Sequence, residues 1–257
     1  MSIFSIFSRK SEPIQLPFHT DVHCHVLPGV DDGSPDVETS CHLISEMHRW
    51  GIDNIIATPH ITADTFENTP DILDPALEEL QQQLSAQDIP VNITRSSENR
   101  IDDFFIDQLQ AGNIRTFPGN YILVENPWLQ EPWQLDNILF DLKVKGYKVI
   151  LAHPERYPYY SRDNRQRYKD LHRTGNLFQI NLLSLAGHYG KTEKSTAEYL
   201  IENDLVDLIG TDLHNTAHIE SIDRYLRSSD ARKILPRIAP RLLNDRIWQL
   251  TSSPLTT

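Results

Sequence analysis

With 257 residues, 39% hydrophobic and 23% charged, the chain has the composition of a globular protein rather than a disordered one, and enough length to bury a sizeable core as one α/β barrel or two small domains. A formal net charge of −12 argues against a nucleic-acid groove, which needs clustered Lys and Arg to neutralise phosphates; an anionic substrate would need local help, and bound divalent cations could supply it. Two cysteines, Cys24 and Cys41, are too few for a disulfide framework and point to a reducing, cytoplasmic compartment.

In chain order, the opening MSIFSIFSRKSEP carries Ile3, Phe4, Ile6 and Phe7 ahead of Arg9 and Lys10. It is too short for a membrane span, and its charge follows the apolar run instead of preceding it as in a signal peptide. Residues 1–17 are expected to form a flexible tail, with docking to a membrane surface as the lesser alternative, and no transmembrane segment is expected.

From about residue 19 to 215, seven short apolar runs alternate with amphipathic stretches, as strand–helix units of a parallel sheet do. They are HTDVHCHV, DNIIATPH, VNITRSSE, YILVE, KVILAHPE, LFQINLL and LVDLIGTDLH. Between the first two, Ser34 is the expected N-cap with Pro35 at the first helical position; Val37, Cys41, Ile44 and Met47 follow at helical spacing, and Gly51 marks the end. Gly112, Gly146 and Gly175 read as similar stops. The segment Ile222 to Leu250 reads as mostly helical, interrupted at Pro236 and Pro240 and packed outside the barrel. No internal repeat or linker divides the chain, so residues 18–250 are expected to be a single domain, followed by a tail at 251–257.

The stretch DVHCHVLPGVDDG sets His23 and His25 one residue apart. On a strand both project to one side while Cys24 points to the other, which suits a metal ion, although a lone pair of this kind also occurs without one. The other runs end alike: His60 closes the second, Glu98 the third, Glu125 the fourth and His153 the fifth, while the seventh closes with Asp212 and His214 at the same alternate spacing. The sixth offers no ligand. In a parallel barrel these positions converge on the C-terminal face. Taken singly each has a bland reading, as a hydrogen-bonded loop histidine or a salt-bridged strand end. So many imidazoles and carboxylates at one end of six strands require cations to neutralise them. A donor set without thiolate favours manganese, iron or zinc, and with Asp32 included it suits two or three ions, in an arrangement able to activate water and clamp phosphoryl oxygens. Arg156, three residues after His153, suits a phosphate oxygen, or else pairs with Glu155 or another acid at the barrel's end. Tyr157, Tyr159 and Tyr160 could flank an aromatic substrate ring or pack locally.

Together DVHCHVLPGVDDGS, IIATPH, the SSE strand, ILVE, ILAHPERY and LIGTDLH resemble the polymerase and histidinol phosphatase (PHP) superfamily over roughly residues 18–225. More closely they resemble its bacterial tyrosine-protein phosphatases associated with capsule and exopolysaccharide synthesis; LPGVDDG and HPERY point to that branch. The resemblance implies a distorted seven-stranded (β/α)7 TIM-like barrel of the PHP fold with three divalent ions, usually Mn2+. Carried over, His23, His25, Glu98 and Asp212 would bind one ion, Glu98, His60 and His153 a second, and Asp32, Glu125 and His214 a third. Asp31 would support Asp32. Arg156 would be the catalytic and phosphate-binding residue, with Tyr157 beside the substrate ring. The implied reaction is hydrolysis of phosphotyrosine in a protein, the implied partner a bacterial tyrosine kinase. Ser97, Asn99 and Arg100 depart from the family's usual residues around the third-strand glutamate, which bears on substrate preference. The alternatives are a small-molecule phosphoesterase such as a histidinol-phosphate phosphatase, and a non-catalytic, metal-bound binding module. An amidohydrolase fits less well, because Glu125 stands where those enzymes commonly have a bridging lysine.

Overall fold

The computed structural model describes residues 12–160 and 164–250. The apolar runs form nine short strands: β1 (Thr20–Asp21), β2 (Asn54–Ala57), β3 (His60–Ile61), β4 (Asn92–Arg95), β5 (Glu98–Arg100), β6 (Tyr121–Glu125), β7 (Lys148–Ala152), β8 (Leu177–Asn181) and β9 (Leu208–Gly210). Every ladder is parallel. Neighbours run β1-β2-β4 in a three-stranded sheet and β3-β5-β6-β7-β8-β9 in a six-stranded one, so the fold is an α/β fold with a curled parallel sheet. The expected count of seven differs because two runs are interrupted. The second breaks at Thr58–Pro59, where proline lacks an N–H for the ladder, and the third at Ser96–Ser97, whose hydroxyls turn to Arg115 O and Asn99 Oδ1. Beyond β9 the chain returns to the segment after β1: Asp212 N donates to His23 O at 2.8 Å and His25 N to Leu213 O at 3.0 Å.

Alternation along the strands sorts the core into two faces. Ile55, Val124, Leu151 and Ile180 pack with Leu43, Ile44, Met47 and Trp50 in the larger cluster. Val22, Ile56, Leu123, Ile150 and Leu208, drawn from both sheets, meet in a smaller one with Phe117 and Ile247. Ile247 belongs to the helix Asn244–Gln249, and its neighbour Asn244 donates from Nδ2 to Thr20 O and Ile209 O. The C-terminal segment is therefore built into the sheet's core rather than lying wholly outside it.

Three local expectations change. The helix Val37–Arg49 is capped by Asp36, which accepts from Thr39 N, because the Ser34 hydroxyl is engaged with Asp36 O and Ser40. Pro236 falls inside the helix Ser229–Ile238, close enough to its end that the chain leaves it through the 3-10 turn Ala239–Arg241. At the other terminus Ile14 N donates to Leu226 O, Leu16 N donates to Trp50 O, and Leu16 is buried, so residues from Ile14 onward belong to the fold. Phe4, Phe7 and the segment 251–257 lie outside the described residues. Among those described, no helix is long and apolar enough to cross a membrane.

Candidate metal centre

The segment after β1 is fastened before it delivers its ligands. The Asp21 carboxylate accepts from His23 N and from the Thr211 N–H and hydroxyl, joining the first strand's end to the last; burial pushes this carboxyl up to about 6 against those bonds. His23 and His25 then face one side and Cys24, fully buried, faces the core. His25 Nδ1 donates to Asp31 Oδ2 at 2.8 Å while Asp31 Oδ1 accepts from Gly33 N. Burial opposes the Asp31 charge, yet the His25 imidazole holds this carboxyl well below the usual range. Gly33 is required here by close approach, since a Cβ would lie 2.2 Å from His25 O. The two aspartates thus part in role: Asp31 orients His25, and Asp32 stands at the exposed mouth beside His60 and His214.

Glu98, at the start of β5, lies in the middle. Its Oε2 is 3.3 Å from His23 Nε2, 3.3 Å from His25 Nε2 and 3.2 Å from His60 Nδ1, and its Oε1 accepts from His153 Nε2 at 2.8 Å. Asp212 Oδ1 lies 3.5 Å from His23 Nε2 and 3.6 Å from both His25 Nε2 and His214 Nδ1. His153 and Asp212 both take left-handed backbone, φ 31° and 53°, an uncommon conformation for side-chain-bearing residues that gathers at functional sites.

Four groups have ligand atoms within 4.8 Å of one another: His25, Asp32, His60 and His214; His23, Glu98 and His153; His23, His25 and Asp212; and His60, Glu98 and Glu125. All nine expected ligands are brought together, but the partition implied by the resemblance changes. Glu125 does not join Asp32 and His214. Its carboxylate lies within ligand distance of His60 and the Glu98 carboxylate and 3.7 Å from His153, although its rung, that of Arg100, is two residues beyond that of Glu98.

The donor chemistry fits divalent cations. Glu98 Oε2 is buried without a hydrogen-bond partner, as are His60 Nδ1 and His153 Nδ1, although buried polar atoms are nearly always satisfied. The three nitrogens around Glu98 Oε2 and that oxygen itself could all bind one positive charge. Protons compete for the same positions. Burial opposes charge on His23, but Glu98 and Asp212 outweigh it and push this imidazole up to about 9. Burial and the Glu98 charge push the Glu125 carboxyl up to about 8. Burial works against ionised Glu98 as well, but His23, His60 and the bond from His153 hold it well below the usual carboxylate range.

The sixth strand, which offered no ligand, supplies support. Gln179 Oε1 accepts from His23 Nδ1 at 2.7 Å and from His153 N at 3.3 Å, and Gln179 Nε2 donates to Ile180 O and Asn181 Oδ1, which fixes the amide's orientation. Asn181 Nδ2 donates to Asp212 Oδ2. The sequence signal is there in retrospect, as two alternate polar residues within the apolar run LFQINLL. Such partners set the tautomer and aim of a ligand. Gln179→Met is expected to weaken manganese affinity by about 10–100-fold, read by calorimetric titration, with turnover recovering at saturating metal.

The cavity above these groups measures about 490 Å3 and is also lined by Phe66, Arg100, Trp128, Arg156, Tyr189 and His218. Arg156 Nη1 donates to Asp212 Oδ2 at 2.9 Å, and its guanidinium lies between the rings of Tyr189 and Trp128, 4.0 and 4.6 Å from their centroids. It does not answer Glu155, which turns inward to accept from Asn181 N and Ser184 Oγ. Tyr157 cannot flank a substrate. It is fully buried, its hydroxyl accepts from Asn126 N, and its ring meets His153 edge-on from behind. Phe66, Trp128 and Tyr189 are the aromatics that line the cavity, and none carries a motif that reveals it in sequence.

Residues 19–230 match the family model for capsular polysaccharide synthesis, CpsB/CapC. The chain is 34% identical over 196 residues to the tyrosine-protein phosphatase YwqE of Bacillus subtilis (strain 168), covering 76% of this chain and 77% of that one. It is 28% identical over 204 residues to the tyrosine-protein phosphatase CpsB of Streptococcus pneumoniae, covering 76% and 82%. Among solved structures it superposes with a TM-score of 0.75 and 31% identity, over 89% of this chain and 94% of the other, on one from work describing YwqE and CpsB from those two organisms as unique metal-dependent tyrosine phosphatases. An amidohydrolase from Mycoplasma synoviae, at TM-score 0.55 and 14% identity over 91% and 92%, shares the fold. The match over most of its length, to a family model and to relatives at this identity, makes the chain a member of the CpsB/CapC capsular polysaccharide synthesis family.

Proposed function

We propose that the protein is a metal-dependent protein-tyrosine phosphatase that hydrolyses phosphotyrosine in a polypeptide, its physiological partner being a bacterial tyrosine kinase of capsule or exopolysaccharide synthesis, met in the cytoplasm. The observation that carries this reading is the convergence of five imidazoles and four carboxylates at the floor of one cavity that the Arg156 and Arg100 guanidiniums also line. We assign three divalent ions, with manganese preferred over iron or zinc, to a distorted seven-stave barrel: one at His23, His25, Glu98 and Asp212, one at Glu98, Glu125 and His153, and one at Asp32, His60 and His214. Such ions, when bound, supply Lewis acidity and an activated water.

The chain's own residues do the rest. Arg156, held flat between Trp128 and Tyr189, presents planar N–H donors to the phosphoryl oxygens and spreads the charge of the transferring group. Its bond to Asp212 fixes where that plane stands relative to the ligands. Gln179 and Asp31 hold His23 and His25 with their Nδ1–H groups turned outward, leaving both Nε2 atoms toward Glu98. Trp128 and Phe66 give the phenol ring apolar walls. A tyrosine phenolate, with an ordinary pKa of about 10, is a better leaving group than an alkoxide.

Chelation is expected to abolish phosphate release from a phosphotyrosyl peptide, and added manganese to restore it, with metal content followed by elemental analysis. Full activity in protein stripped of metal would overturn the reading.

A further inference from the structure

Residues 126–134, between β6 and the helix Leu135–Val144, form a loop built inside out. Asn126 and Glu131 are turned inward and fastened, while Gln130 and Gln134 are exposed. Asn126 N donates to the Tyr157 hydroxyl and Asn126 Nδ2 to the Tyr160 hydroxyl, while the Tyr159 hydroxyl donates to Pro127 O. Glu131 receives both Arg167 Nε and Nη2, at 3.0 and 2.8 Å, and the same guanidinium also bonds Asp136. Trp133 lies between those two clamped acids. The large apolar side chains, by contrast, point into solvent: Leu129 is 95% exposed and Trp133 90%, more than any other large apolar residue among the described ones. A loop held at both ends by bidentate and buried hydrogen bonds does not reach this orientation by looseness. Fixed exposure of large apolar side chains marks a surface that awaits a partner.

The occupant follows from what adjoins the loop. Trp128, directly before Leu129, stacks on His153 with centroids 5.5 Å apart and carries Arg156 over its face. The loop therefore supplies a wall of the reaction cavity and, one residue on, an apolar rim. That rim borders one side of the cavity, beside the Trp128 wall, where the residues next to a phosphorylated side chain would have an apolar surface to meet. The two acids nearest Trp133 in sequence share the one Arg167 guanidinium, which leaves a single negative charge beside an otherwise apolar rim.

We propose that this loop is a docking lip for the substrate polypeptide, in which Leu129 and Trp133 receive an aliphatic or aromatic side chain close to the phosphotyrosine. The inference rests on the phosphotyrosine reading and adds a preference among its substrates.

Three substrates test it on the metal-loaded protein and its Leu129→Ser/Trp133→Ser variant: a small aryl phosphate, a phosphotyrosyl peptide with leucine or phenylalanine at flanking positions, and the same peptide with serine there. The wild type is expected to favour the apolar peptide over the serine peptide by roughly tenfold in kcat/KM, carried by KM and little affected by salt, as burial of one or two apolar side chains gives. The variant is expected to lose that preference while turning over the aryl phosphate unchanged. An equal preference in both proteins, a fall on all three substrates alike, or a change of oligomeric state by light scattering that accounts for the loss overturns the proposal. Turnover of the aryl phosphate with neither peptide accepted by the wild type removes the phosphotyrosine reading itself.

Discussion

Glu98→Gln lowers phosphate release from a phosphotyrosyl peptide by about a thousandfold or more, since removing metal-borne charge stabilisation costs several kcal/mol. The substitution keeps the shape of the side chain and deletes one negative charge. That charge sits within 3.3 Å of nitrogens from three histidines and accepts from a fourth, so two of the proposed ions lose a shared ligand at once. Elemental analysis is expected to show the loss of bound metal alongside activity. Activity within tenfold of the wild type at full metal content would show that Glu98 is a buried counter-charge and no ligand. Because the glutamine amide also leaves His23 and His25 facing a neutral group, their imidazoles should titrate lower than the parent's when both proteins are compared free of metal, an independent readout by NMR.

Arg156→Ala is expected to reduce kcat/KM by about 100–1,000-fold, the cost of removing one preorganised donor from a developing anion, with metal content unchanged. Arg156→Lys should recover little. An ammonium lacks the planar fork and cannot lie flat between Trp128 and Tyr189, whose centroids stand 4.6 and 4.0 Å from the guanidinium carbon. Comparing the two variants separates charge from shape: near-complete rescue by lysine would mean that a point charge suffices. Loss of metal in both would move Arg156 from the substrate to the support of Asp212.

The ligands were legible in sequence because strand ends are legible. A run of apolar residues that stops at a histidine or carboxylate places that group toward the sheet's C-terminal edge, and eight of the nine candidates followed from that rule; Asp32, in the loop after the first run, came from the DVHCHVLPGVDDG stretch. Their partition was not legible, because the order of strands along the chain does not fix how far each ligand lies along the edge. Glu98 pairs with Leu123 and Arg100 with Glu125, so Glu125 stands on the neighbouring strand two rungs beyond Glu98, and only the side chain's reach brings it into the group of His60 and Glu98. Tyr157 failed for a related reason. A tyrosine in a loop next to a ligand can face the cavity or back the ligand, and the three hydroxyls of YPYY found backbone and amide partners around Asn126 and Pro127. Gln179 was passed over because an amide is no metal ligand, although its position on a buried strand already demanded partners for four hydrogen-bonding sites.

The breaks at Thr58–Pro59 and Ser96–Ser97 bear on more than strand count. At each, the chain leaves the three-stranded sheet and enters the six-stranded one, and the first residues after the gaps are His60 and Glu98, opening β3 and β5. His23 and His25 follow β1, on the smaller sheet. Backbone bonds cross between the sheets at only a few points, among them Asp212 N to His23 O and His25 N to Leu213 O, and cations held between these histidines and Glu98 would add rivets beside them. Ions that bind there would favour the folded chain over the unfolded one, so thermal stability is expected to rise with metal concentration, as a melting curve would read.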